Sequence, residues 1–157
     1  MTIRPTLPFK ATLHVRDACL CLHTQRAARA LARRFDEALR PTGLTNEQFS
    51  LLMALNRPRA ASMSELASLL GADRTTLTAA VKPLVRRGLA EVGVDAADSR
   101  VRRIWLTAEG HARLTAAMPL WTGAHAALEA ELGDADPARL RRDLKVLSGS
   151  GGRASAP

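Results

Sequence analysis

The chain has 157 residues, 46% of them apolar and 24% charged, enough for one domain with a hydrophobic core and unlike a disordered tail. Basic residues outnumber acidic ones by 23 to 15, giving a formal charge of +8, and 20 of the 23 are arginine; planar forks of donors suit phosphates and base edges, which points to nucleic acid above an anionic membrane as partner. No run approaches the roughly 20 apolar residues that span a bilayer, residues 1–16 lack a signal-peptide core, and two cysteines cannot staple a secreted scaffold, so a cytoplasmic location and no membrane partner are expected.

Residues 1–16 contain Pro5 and Pro8, and Phe9, Leu13 and Val15 alternate with polar neighbours, which predicts an extended arm. Asp17 is the candidate N-cap of a first helix over 17–40, stopped by Pro41-Thr42-Gly43. Leu20, Ala27, Ala28, Leu31, Phe35 and Ala38 form its apolar stripe, and Arg26, Arg29, Arg33, Glu37 and Arg40 its polar side. Thr45-x-x-Gln48 is a capping box that opens the next helix, with Phe49, Leu51, Leu52 and Leu55 as its core. Ser62-x-x-Glu65 opens another, running from Met63 to Leu70 and closed by Gly71, and Asp73 then caps a helix from Arg74 to about Arg87. Two helices joined by so short a turn containing Gly have the connectivity of a helix-turn-helix, over 62–88. Leu89 to Val94 and Val101 to Leu106 flank the charged turn cluster 95–100, predicting a hairpin over 89–106. Thr107 caps a long helix that Pro119 is expected to bend, and Asp136-Pro137 opens a last one ending near Leu147. The Gly- and Ser-rich 148–157 is expected to be a flexible tail. The predicted fold class is mainly α.

A helix fits the major groove of duplex DNA, where base edges present distinguishable donors and acceptors. On the helix that starts at Arg74, the side away from Leu77, Ala80, Val81 and Leu84 carries Arg74, Thr75, Thr78, Ala79 and Lys82, with Thr76 beside them. These residues are small, polar and basic: hydroxyls can bond phosphates or bases, and Ala79 permits close approach or contact with a thymine methyl. A plain solvated face would have a similar composition, and the hairpin tips the balance. Arg100 stands at its tip with Arg102 and Arg103 on the returning strand, and Asp98 can hold the Arg100 guanidinium through a bidentate pair. Such an arginine suits a minor groove, whose narrow walls focus negative potential. Asp95 and Asp98 also fit ordinary turn chemistry. Pro83 removes one backbone bond and threatens a kink beyond the first two turns, so Lys82 is a weaker expectation than Thr75 or Thr78.

These residues carry a resemblance. Gly43-Leu44-Thr45, Met63-Ser64-Glu65-Leu66-Ala67, Asp73-Arg74-Thr75-Thr76-Leu77-Thr78 and Leu84-Val85-Arg86-Arg87-Gly88-Leu89 occur in order, followed by Asp95-Ala96-Ala97-Asp98-Ser99-Arg100 and Ile104-Trp105-Leu106-Thr107-Ala108-Glu109-Gly110. Over roughly 17–147 the chain resembles the MarR family of winged helix-turn-helix regulators. The resemblance implies a homodimer built by helices in 17–40 and 107–147, recognition helices in successive major grooves of a pseudo-palindromic double-stranded operator, and hairpins as wings in flanking minor grooves. It also implies release by a small phenolic or lipophilic ligand or by cysteine oxidation. Counting back from Leu44-Thr45 places Cys21 at the reactive position of the organic-hydroperoxide-sensing branch, with Cys19 nearby. That branch supports its thiol with tyrosines, and this chain has none; Gln25 and Phe35 stand at the matching positions.

Other chemistry is thinly provided. There is no HExxH, nucleophile elbow or phosphate-binding Gly loop, so neither an enzyme nor a cofactor is expected. Cys19, Cys21 and His23 do not converge on one face of a regular helix, so no metal site is expected, and the two thiols point to nearly opposite sides. Met118, Trp121 and His125 would line a ligand pocket or else serve as core and dimer contacts. The rival functional class is an architectural protein that binds DNA without sequence preference.

Overall fold

Helix starts in this chain are set by side-chain caps. In the computed structural model, which describes residues 7–149, the elements run α1 (Phe9–Ala18), α2 (Leu20–Leu39), a 3-10 turn (Arg40–Thr42), α3 (Asn46–Leu55), β1 (Ala61–Ser62), α4 (Met63–Leu70), α5 (Arg74–Arg86), β2 (Ala90–Val94), β3 (Arg102–Leu106), α6 (Ala108–Glu131) and α7 (Pro137–Leu147). Both capping boxes close reciprocally. Thr45 Oγ1 accepts the Gln48 N–H at 3.2 Å while Gln48 Oε1 accepts the Thr45 N–H at 3.3 Å; Ser62 and Glu65 do the same at 3.2 and 2.7 Å. Thr107 and Asp136 cap α6 and α7 through backbone N–H groups of their first turns.

The sheet is antiparallel in the order β1-β3-β2, with Ala61 opposite Ile104 and Ala90 opposite Leu106. β1 is only two residues long, too short to leave a period in the sequence, and it binds the start of α4 to the hairpin. The core fills from every layer: Leu39 of α2, Leu52 of α3, Leu66 of α4, Leu77 and Leu84 of α5, Ile104 of β3 and Leu114 of α6 are all buried in one cluster. The fold is thus mainly α with a winged helix-turn-helix, and α4 and α5 sit beside the β2–β3 hairpin.

Two expectations at the N-terminus are corrected. The arm is helical from Phe9 onward, with Pro8 at the N-cap and the Ala11 N–H donating to the Pro8 carbonyl at 2.9 Å. Phe9 and Leu13 are four residues apart, so the short alternation fitted a helical face as well as a strand. The first long helix does not run unbroken from Asp17: the Asp17 carboxylate is held by Arg16 at 2.6 and 2.9 Å, and Cys19, at φ −75° and ψ 105°, caps a new helix instead, its Sγ accepting the Leu22 N–H at 3.4 Å. Residues 1–6 of the expected arm and 150–157 of the expected tail lie outside the described residues.

Neither α1 nor α7 buries a residue within the chain, and α2 buries only Phe35 and Leu39. Leu20 of the expected stripe is 67% exposed and Val146 of α7 is 69% exposed. No described helix is long and apolar enough to cross a membrane.

Candidate nucleic-acid interface

Asp73 sets where α5 begins. Its Oδ1 accepts the Thr76 N–H at 2.8 Å and its Oδ2 accepts the Thr76 hydroxyl at 2.7 Å, and these bonds, the backbone one foremost, hold the Asp73 carboxyl below its ordinary range. Thr76, expected among the DNA contacts, therefore has its hydroxyl proton committed to the cap. Arg74, Thr75, Thr78, Ala79 and Lys82 are all exposed. The Thr78 hydroxyl donates to the Arg74 carbonyl at 2.7 Å, which fixes its rotamer while its oxygen can still accept. α5 continues through Pro83 to Arg86, so Lys82 stays on a helix.

Between α5 and the hairpin lies a groove of about 680 Å³. Met63, Val81, Pro83, Val85, Val92 and Ile104 give it an apolar lining, and Arg74, Lys82, Arg86 and Arg102 bring positive charge to it. A recess of about 260 Å³ next to it joins Ser62 and Ser64 at the start of α4 to Arg74, Arg100 and Arg102. Residues from α4, α5 and the hairpin are thereby brought to one basic surface. Ser64 and Arg86 were not singled out from the sequence; Arg86 follows Lys82 by four residues, the helical spacing that could have found it.

At the tip of the hairpin, Arg100 Nε and one terminal nitrogen donate to Asp98 Oδ1 and Oδ2 at 3.1 and 3.3 Å. The side chain of Arg100 is 89% exposed, so this pair orients it without hiding it. Arg100 is also the chief reason that the Asp98 carboxyl lies below its ordinary range. Arg103 departs from expectation. Its Nε donates to Asp95 Oδ2 at 2.5 Å and a terminal nitrogen to Glu65 Oε2 at 3.2 Å, so its guanidinium is engaged within the protein.

The far end of α5 is tied down by contacts between residues too distant in sequence to show a spacing. Arg87 donates to Gln48 Oε1 at 2.9 Å and to the Gly43 carbonyl at 3.0 Å. Arg113 of α6 donates to the adjoining Thr42 carbonyl at 2.9 Å. Gly43 has φ +68°, the left-handed conformation that an L side chain resists, and this turn sets the direction of chain entry into α3.

The remaining candidates fall elsewhere. Met118 and Trp121 line a cavity of about 440 Å³ with Phe49, Met53, Leu69 and Leu70. His125 does not line it; it stacks on Trp121 at 4.7 Å, and Trp121 also stacks on Phe35 and Phe49 at 6.5 and 6.1 Å. Cys19 is half-buried at the head of α2, and Cys21 is exposed. Because the chain leaves helical geometry at Cys19, the opposed placement expected of the two thiols in one regular helix does not apply. Gln25 Nε2 donates to Cys21 Sγ at 3.2 Å, so the residue at the tyrosine-matching position does meet the thiol. Among the described residues no cluster of His, Cys, Asp and Glu could hold a metal ion.

A MarR family model matches residues 42–101. The M. tuberculosis transcriptional regulator MosR, solved in complex with DNA, is 46% identical, with 84% of this chain and 95% of that chain covered and a TM-score of 0.76. A mutant of MarR from E. coli complexed with operator DNA is 25% identical over 86% of this chain and 97% of its own, also at a TM-score of 0.76. S. aureus MepR in a DNA complex is 21% identical, covers 83% and 97% of the two chains at a TM-score of 0.73, and shows the shared fold. No curated protein sequence matches the chain. With caps, wing and nearly whole-length likeness in agreement, the chain belongs to the MarR family of winged-helix transcriptional regulators, a regulator and not an enzyme.

Proposed function

We propose that the chain is a cytoplasmic, homodimeric transcriptional repressor that binds a pseudo-palindromic double-stranded DNA operator. The observation that carries this reading is the single basic surface on which the exposed Arg74, Thr75, Thr78, Ala79 and Lys82 of α5 stand beside Arg100 and Arg102 of the hairpin. α5 reads base edges in the major groove, and the wing adds Arg100 in the minor groove. Likeness to MosR and MarR, both solved with DNA, supports the same partner.

Two-fold pairing is supported by α1, α2 and α7, whose Phe9 and Val15, Leu20 and Leu31, and Leu140 and Leu144 respectively lie exposed in the single chain. Apolar surface on helices at both ends of the chain needs a second copy to cover it. Sedimentation at micromolar concentration is expected to show a dimer, and its operator to have half-site centres about one helical turn apart; a monomer contradicts this.

Release follows either of two triggers. The Cys21 thiol, exposed and bonded to Gln25, can take oxygen from an organic hydroperoxide, becoming a sulfenic acid as the peroxide leaves as an alcohol. Treating the reduced dimer with hydroperoxide is expected to weaken DNA binding about tenfold, within the usual range of coupling energies. Cys21→Ser should stop the release, and Cys19→Ser should matter less. Oxidant-insensitive binding from fully reduced protein assigns release instead to a ligand in the cavity beside Met118 and Trp121.

A further inference from the structure

Three arginines of the hairpin behave differently. Arg100 and Arg102 line the recess shared with Arg74, whereas the Arg103 side chain is only 26% exposed. Side chains alternate along a strand, so Arg103 faces the opposite side of β3 from Arg102 and Ile104. Its partner in register on β1 is Ser62, the N-cap of α4. There Arg103 Nε donates to Asp95 Oδ2 at 2.5 Å, and a terminal nitrogen reaches Glu65 Oε2 at 3.2 Å and the Ala60 carbonyl at 3.5 Å. Asp95 Oδ1 accepts the N–H groups of Ala97 and Asp98 at 2.8 and 3.1 Å, so one carboxylate shapes the turn and grips Arg103. Glu65 also closes the capping box on Ser62 and pairs with Arg59 at 2.8 Å. Asp95 is held below its ordinary range chiefly by Arg103, and Glu65 chiefly by the Ser62 N–H. Nε and one of the two terminal nitrogens are thus spent within the protein, which holds the guanidinium in place.

We propose that Arg103 and Asp95 are positioning residues for DNA binding: with Glu65 they lock the hairpin onto the start of α4 and so hold Arg100 and Arg102 in a fixed place relative to Arg74 and α5. Arg100 lies within the segment that the Asp95–Arg103 bond closes, which restricts the freedom of the tip. This rests on the wing reading given above.

Asp95→Asn separates the lock from simple electrostatics. Asn keeps an oxygen for the Ala97 and Asp98 N–H groups and loses the charge that holds Arg103. Removing an acid from a DNA-binding lobe tightens binding through Coulomb attraction alone; the lock predicts the opposite, about a tenfold loss in affinity by fluorescence anisotropy with operator DNA. Arg103→Gln is expected to lose a similar amount, and to lose little more when made on top of Arg100→Ala, because coupled residues are not additive. In the DNA-free protein, amide exchange in the hairpin is expected to quicken in both variants while α6 is unchanged. Unchanged or tighter binding by Asp95→Asn overturns the proposal. So does an Arg103→Gln effect that adds fully to Arg100→Ala and lowers the salt slope by about one per protomer, the signature of a direct phosphate contact. Should Arg100→Ala itself cost nothing, the wing reading is what fails.

Discussion

Arg100→Ala is expected to weaken binding to every duplex, about tenfold for each wing and so roughly 100-fold for a dimer, and to flatten the dependence of affinity on salt. The reason lies in its setting. Asp98 orients the guanidinium through two bonds along one edge, yet the side chain remains 89% exposed, so it is aimed outward at little ordering cost when DNA arrives. Minor-groove attraction of this kind depends on groove width and phosphate charge more than on base identity. Thr78→Ala is expected to act differently, changing the preference among operators, because Thr78 stands on the face of α5 proposed to read the major groove and its rotamer is fixed by the Arg74 carbonyl. Titrations of both variants at several salt concentrations check this. An Arg100→Ala protein with unaltered affinity and salt slope contradicts the wing assignment.

Gly110→Ala is expected to destabilise the fold by about 3 kcal/mol, the upper part of the range for overpacking, and Gly110→Val to prevent cooperative folding. Gly110 is buried in the first turn of α6, and a Cβ there would lie 2.0 Å from the Leu89 carbonyl oxygen and 3.0 Å from its carbon. Neither side can yield easily. The Leu89 carbonyl already accepts the Thr107 N–H at 3.2 Å, and the Leu89 side chain is buried in the core. α6 is pinned in turn by the Thr107 hydroxyl, which donates to the Gly88 carbonyl at 2.6 Å. Urea unfolding measures the loss; a midpoint unchanged in Gly110→Ala would show that the contact relaxes at no cost.

Local signals made the DNA-binding lobe legible. Thr45 with Gln48, Ser62 with Glu65, and Asp73 each announce a helix start within four residues, and Gly71 and the Asp95–Arg100 cluster announce turns, so α3, α4, α5 and the hairpin could be placed before any packing was known. The misreadings have a common cause in short or competing patterns. Eight residues around Phe9 and Leu13 satisfied two periods at once, and Asp17, a good cap by type, is held by Arg16 while Cys19 takes its place. β1 had no pattern to find. Arg103 was grouped with Arg100 and Arg102 by proximity in sequence, although it alternates with Arg102 along β3; its partnership with Glu65, 38 residues away, lay beyond any local pattern. The tie from Arg87 to Gly43 spans 44 residues and was equally out of reach. Gly110 was legible as part of a family-like run, whereas its physical reason, the close approach of Leu89, is a matter of packing.

On the function proposed above, α5 and its wing read sequence and do not merely bind charge. Selecting duplexes from a random pool with the reduced protein, then competing the selected site against random DNA at fixed salt, tests it most directly. An enriched pseudo-palindrome held about 10³-fold or more above random duplex is the expected result. A ratio near one, with no motif enriched, would contradict it and make the chain an architectural DNA-binding protein.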